Sequence, residues 1–162
     1  MTVHSAGTLP HHSYGGDSAG LVCGYLMQVS TPAMPLDSIA AAHWLQAHPQ
    51  ATPTVQGGTP RAVAAPFVWL HFNLAHAQAL RWIQRHAQLP DAFFEALKEG
   101  SHSTRIERDD DALVGVLNDA HFDFAFEPFD IATLWICVLP HVVITARAHP
   151  LRSVDALRTA VR

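Results

Sequence analysis

Apolar residues along the chain fall into two kinds of run, short β-rich stretches and longer stretches with three-and-four spacing, separated by Pro, Gly and charged clusters. Gly20 to Gln28 (GLVCGYLMQ) predicts a first strand, closed by a Ser30–Pro35 segment whose two prolines cannot continue a ladder. In PLDSIAAAHWLQAHP the positions Leu36, Ile39, Ala40, His43, Trp44 and Ala47 recur at helical spacing and predict one helix with that stripe on the core. Residues 50–66, with three prolines and the Gly57-Gly58 pair, predict a long surface connection. Phe67 to Phe72 (FVWLHF) has large side chains on both alternating sets, the pattern of an interior strand covered on two faces. Asn73 is positioned to cap a helix bearing the stripe Ala79, Trp82, Ile83 and Ala87. Pro90 then opens a second helix, with Phe93, Phe94 and Leu97 on one side and Gly100 at its end.

The second half changes period. TRIER, the acidic run Asp109-Asp110-Asp111 and ALVGVLN predict a hairpin with its tip in water, and FDFAFEP, IATLWICVL and HVVITAR continue a meander that turns at Pro140-His141. After Pro150, Ser153 is placed to cap a helix through Val154, Leu157 and Val161 that runs into Arg162, which creates the expectation of a longer parent protein. This order of elements gives an α/β fold, a mixed β-sheet layered with helices, over residues 20–162 behind a loose leader at 1–19.

Composition narrows the function. With 162 residues, 49% hydrophobic and 15% charged, the chain suits one domain with a real core. A net charge of −4 argues against nucleic acid as a partner. The N-terminus lacks the basic start and apolar core of a secretion signal. The longest apolar stretch, Thr133 to Thr145, is interrupted by Pro140 and His141 and falls short of the roughly 18 residues needed to cross a bilayer. Cys23 and Cys137 sit in apolar runs, as reduced buried thiols do.

No phosphate loop, nucleophile elbow, HExxH or CxxC motif is present, so no catalytic residue is assigned. Twelve histidines are the compositional oddity. His71 and His76 bracket a strand-to-helix turn where two imidazoles could meet a metal together with a carboxylate such as Glu95. The commoner outcome for a histidine beside Trp69 is a hydrogen-bonded core residue. Three function classes therefore stay open on the residues: an ion-handling domain, a small metal hydrolase using His71 and His76, and a plain partner-binding module.

The stretch WLHFNLAHAQALRWIQRHAQLPDAFFEAL (Trp69 to Leu97), the acidic hairpin and TLWICVLPHVVITARAHPLRSVDALR together resemble the soluble N-terminal domain of the CorA-type divalent-cation transporters, most of all their zinc-transporting ZntB branch. The resemblance runs over residues 20–162. It implies an α/β/α cytoplasmic domain joined to a stalk helix, two transmembrane helices and a Gly-x-Asn pore loop, with five copies around a funnel. It also implies Zn2+ or Mg2+ as a transported or regulatory ion, no tightly bound cofactor, self-association as a homopentamer, and membrane contact only through segments beyond Arg162. Magnesium-transporting relatives carry adjacent Glu and Asp after the Leu-Pro break, where this chain has Glu95-Ala96. Where they usually start the next strand with Arg-Pro, it has Ser103-Thr104 before Arg105.

Overall fold

The computed structural model describes residues 16–49, 65–100, 103–120 and 131–161. Among the described residues, seven strands form one sheet in the order β2-β1-β3-β7-β6-β5-β4. They are β1 (Leu21–Met27), β2 (Met34–Leu36), β3 (Phe67–Asn73), β4 (Arg105–Asp109), β5 (Ala112–Ala120), β6 (Ile131–Val138) and β7 (Val142–Arg147). The helices are α1 (Ser38–Ala47), α2 (Ala79–His86), α3 (Asp91–Glu99) and α4 (Arg152–Ala160). β3 and β7 pair in parallel and every other neighbour is antiparallel, so the expected mixed sheet and α/β class are observed.

The sheet separates two cores. Side chains of α1, α2 and α3 join Leu21, Leu70, Phe72, Val114, Cys137 and Ile144 in the larger one. Tyr25, Trp69 and Ala132 meet Leu151 and Val154 of the α4 segment in the smaller one. β3 serves both, as its continuous apolar run requires: Val68, Leu70 and Phe72 face the first and Trp69 the second. Cys137 is fully buried, and burial, reinforced by the Asp109 charge, pushes its thiol up to about 12, the inert core cysteine expected.

Several local expectations are corrected. α1 buries Ser38, Ala41 and Leu45, while Ile39 is 69% exposed and His43 lies in solvent. The helix is apolar on nearly every side, so its own pattern cannot set its rotation. Two fixed bonds set it instead, Asp37 accepting from the Ala40 N–H (2.8 Å) and Asp17 accepting from the Ser38 N–H (3.1 Å). Pro35 does enter a ladder, in the short edge strand β2, the one place in a sheet where its missing donor costs nothing. Asn73 caps no helix. It ends β3 with its side chain accepting from the Ala75 N–H (3.1 Å), and α2 begins at Ala79. Leu151, buried at 1%, rather than Ser153 occupies the cap position of α4. The segment at 50–64 and the FDFAFEP stretch lie outside the described residues.

The end of α3 and the acidic turn follow the sequence, whereas the last residues of the leader do not. Gly100 ends α3 at φ 71°. The acidic run is a hairpin tip, with Asp109 paired to Ala112 and Asp110 at φ 49°, a conformation that aspartate tolerates. The last residues of the expected leader belong to the fold: Asp17 also accepts from the N–H groups of Ala19 (2.9 Å) and Leu21 (3.0 Å), and Ala19 is buried. Gly20 follows at φ 79°, where a Cβ would meet His76 and Ala79 at about 3 Å.

Candidate functional site

Among the described residues, a chain of buried polar side chains lies between β3 and β7, on the face that α4 covers. Parallel pairing sets Trp69 beside Val143, His71 beside Thr145 and Asn73 beside Arg147. Because alternate residues share a face, Trp69, His71, Thr145 and Arg147 all point the same way, and each is at most 5% exposed.

Their hydrogen bonds fix the protons of the His71 ring and the Thr145 hydroxyl. An arginine can only donate, so the Arg147 Nε–H contact with His71 Nε2 (3.1 Å) makes that nitrogen an acceptor. The ring proton is therefore on Nδ1, which donates to Thr145 Oγ1 (2.9 Å). The same hydroxyl oxygen accepts from Trp69 Nε1–H (2.9 Å) and directs its own proton toward the Leu70 carbonyl (3.5 Å). Burial first, then the charges of Arg147 and Arg158, push the His71 pKa from 6.5 down to about 3. Both lines of reasoning agree: a second proton would convert Nε2 into a donor facing a donor.

Next to this chain is a cavity of about 260 Å3 at the ends of β3 and β7 where the parallel strands finish. Arg147, Arg158, Asp17, Asp37, Asp155 and Cys23 line it. Its carboxylates already have partners: Asp17 holds three backbone N–H groups, Asp37 caps α1 and Asp155 pairs with Arg158 at 3.2 Å. The cavity is thus a structural junction where the chain before β1, the start of α1 and the start of α4 are tied to the central strands.

The proposed metal ligands are not brought together. His71 has both ring nitrogens committed and offers no lone pair. His76 lies in the turn before α2, its Nδ1 accepting from the Gln78 N–H (3.3 Å). Glu95 is exposed on α3, a helix that packs on the other side of the sheet from His71. Among the described residues no group of three or more His, Cys, Asp or Glu side chains is arranged to hold a metal ion. Sequence reasoning missed Thr145 and Arg147, although their alternation in HVVITAR, polar residues two apart in a buried strand, is the signal that marks a hydrogen-bonded chain.

The family profile described as "CorA-like Mg2+ transporter protein" matches residues 64–162. The chain belongs to this family. Among solved structures, the full-length CmaX protein aligns with a TM-score of 0.66 and 21% identity, over 90% of this chain and 40% of that one. The ZntB cytoplasmic domain from Vibrio parahaemolyticus aligns at 0.58 and 19%, over 88% of this chain and 50% of that one. The soluble domain of CorA from Methanocaldococcus jannaschii aligns at 0.51 and 14%, over 85% and 45%. At these identities the likeness is one of fold, and the CorA-family chain spans half or less of each structure. No curated protein matches it significantly.

Ala96, beside Glu95, is 5% exposed in the larger core and its carbonyl accepts from Trp135 Nε1–H (3.1 Å). A carboxylate there would be buried.

Proposed function

We propose that this chain is the cytoplasmic regulatory domain of a divalent-cation transporter, assembled as a homopentamer at the inner face of the plasma membrane, with Zn2+ as the ion and Mg2+ as its competitor. The observation that carries the reading is the CorA-family match over residues 64–162 on a fold shared with a ZntB cytoplasmic domain. No helix among the described residues is long and apolar enough to cross a membrane, so conduction belongs to segments other than these. The domain works by electrostatics and subunit packing rather than by bond chemistry. The acidic excess, −4 per copy, raises local cation concentration, and ions held between copies favour one packing over another. Abundant imidazoles support zinc over magnesium, because nitrogen ligands suit Zn2+ better.

The test is uptake of labelled Zn2+ and of Mg2+ by transporter-deficient cells carrying the complete parent gene, which is expected to encode two apolar spans around a Gly-x-Asn loop. Zinc uptake supports the reading, magnesium uptake alone corrects the ion, and uptake of neither ends it. Calorimetric titration of the domain should show weaker Zn2+ binding at pH 6 than at pH 8. His71, whose pKa burial and two arginines lower to about 3, stays neutral across this range and contributes nothing to that difference.

A further inference from the structure

Charge is unevenly divided along this chain. From Ser38 to Pro90 there is no Asp or Glu, whereas eight of the fourteen acids fall between Glu107 and Asp130. Among the described residues, α1 of the acid-free segment and the acidic hairpin tip lie at opposite edges of the sheet. α1 sits over β1 and β2 at one edge, and the β4–β5 hairpin forms the other.

At the first edge, α1 and α2 enclose a groove of about 800 Å3. Arg81 and Arg85 of α2, one turn apart, line it with His43, His86 and Gln46, and no carboxylate contributes to its wall. Both arginines are exposed and neither is in an ion pair among the described residues. Residues 50–64, between α1 and β3 in sequence, contain no acid. At the second edge the hairpin tip holds Asp109, Asp110 and Asp111, the last two exposed and likewise without an ion pair among the described residues. The narrow two-residue turn carries these charges outward on a rigid ladder.

We propose that the α1–α2 groove receives the acidic β4–β5 hairpin tip of a second copy of this chain. A groove at one edge and its complement at the other define a head-to-tail contact, the kind that closes into a ring when the rotation between copies permits. Opposite charges steer the encounter and fix its register, and the contact is weak, concentration-dependent and sensitive to salt. This names the surfaces for the self-association proposed above; a chain that stays monomeric would overturn it while leaving family and ion assignment untouched.

Sedimentation velocity with Arg81→Glu/Arg85→Glu and Asp110→Lys/Asp111→Lys variants of the full chain tests it. Wild type should grow in mass with concentration at low salt and revert to monomer in 0.5 M salt, a screening length of about 4 Å. Each double variant alone should lose at least tenfold in association, and an equimolar mixture of the two should regain it, because each then presents the complement of the other. Monomeric wild type at every concentration, double variants that associate like wild type, or a mixture no larger than its components would each overturn the proposal. So would capture of monomeric wild type by anionic phosphatidylserine vesicles that Arg81→Glu/Arg85→Glu abolishes, since the groove would then serve a lipid surface.

Discussion

The face of the sheet under α1, α2 and α3 is closed by apolar side chains, whereas the face under α4 is closed by a smaller apolar cluster set beside a chain of buried polar groups. β3 shows the contrast within one strand, with Leu70 and Phe72 turned to the first face and Trp69 and His71 to the second. The first face draws its stability from area removed from water, which is non-directional and tolerates exchange of one apolar residue for another of similar volume. The second depends on each donor meeting its acceptor, so it is specific and fails unevenly: one deletion strands several partners at once. The apolar face therefore supplies most of the folding energy, and the polar face determines how β3, β7 and the start of α4 are held together.

The largest effect should come from the apolar face. Phe93, fully buried there, should cost about 3–5 kcal/mol when changed to Ala, measured by urea unfolding. A loss below about 1 kcal/mol would mean the large core is not the main source of stability. On the polar face, Thr145→Val keeps the shape of the side chain but leaves Trp69 Nε1–H and His71 Nδ1–H without their acceptor. A loss of about 2–4 kcal/mol follows, although no volume is removed. Near-zero change there would erase the distinction between the two faces.

The third prediction separates the faces by pH. Folded His71 stays neutral to about pH 3, while the unfolded residue takes up a proton near 6.5, so its contribution is complete above pH 6.5 and declines as pH falls toward 3. Between pH 7 and pH 5 this residue alone should remove about 2 kcal/mol, a loss that His71→Gln should abolish and Phe93→Ala should leave intact. The smallest effect is chemical. Cys23, half-buried beside the cavity on the α4 face, should react with a disulfide reagent in the native state, and Cys137 on the opposite face only after unfolding. Two native thiols reacting at the same rate would contradict the assignment of faces.

Much of this was legible in the residues. Alternation and length identified β3, β6 and β7, Gly100 marked the end of α3, and the acidic run marked a turn, because each signal is local and acts through backbone conformation or simple burial. The rotation of α1 was not legible, since a helix apolar on nearly all sides is oriented by Asp17 and Asp37 from outside its own pattern. Nor was the fate of His71. Its spacing to His76 suggested a ligand pair, but its partners Thr145 and Arg147 are more than seventy residues away and meet it only because β3 and β7 pair in parallel.

By itself the sequence determined where most strands and helices form and the layered α/β class, because propensity, periodicity and turn chemistry act over a few residues at a time. Only the tertiary structure decided which face α1 buries, that Glu95 and His71 stand on opposite sides of the sheet, and that α1 and the acidic hairpin tip lie at opposite edges. Those outcomes depend on the order and register of strands distant along the chain, and that information no local pattern contains.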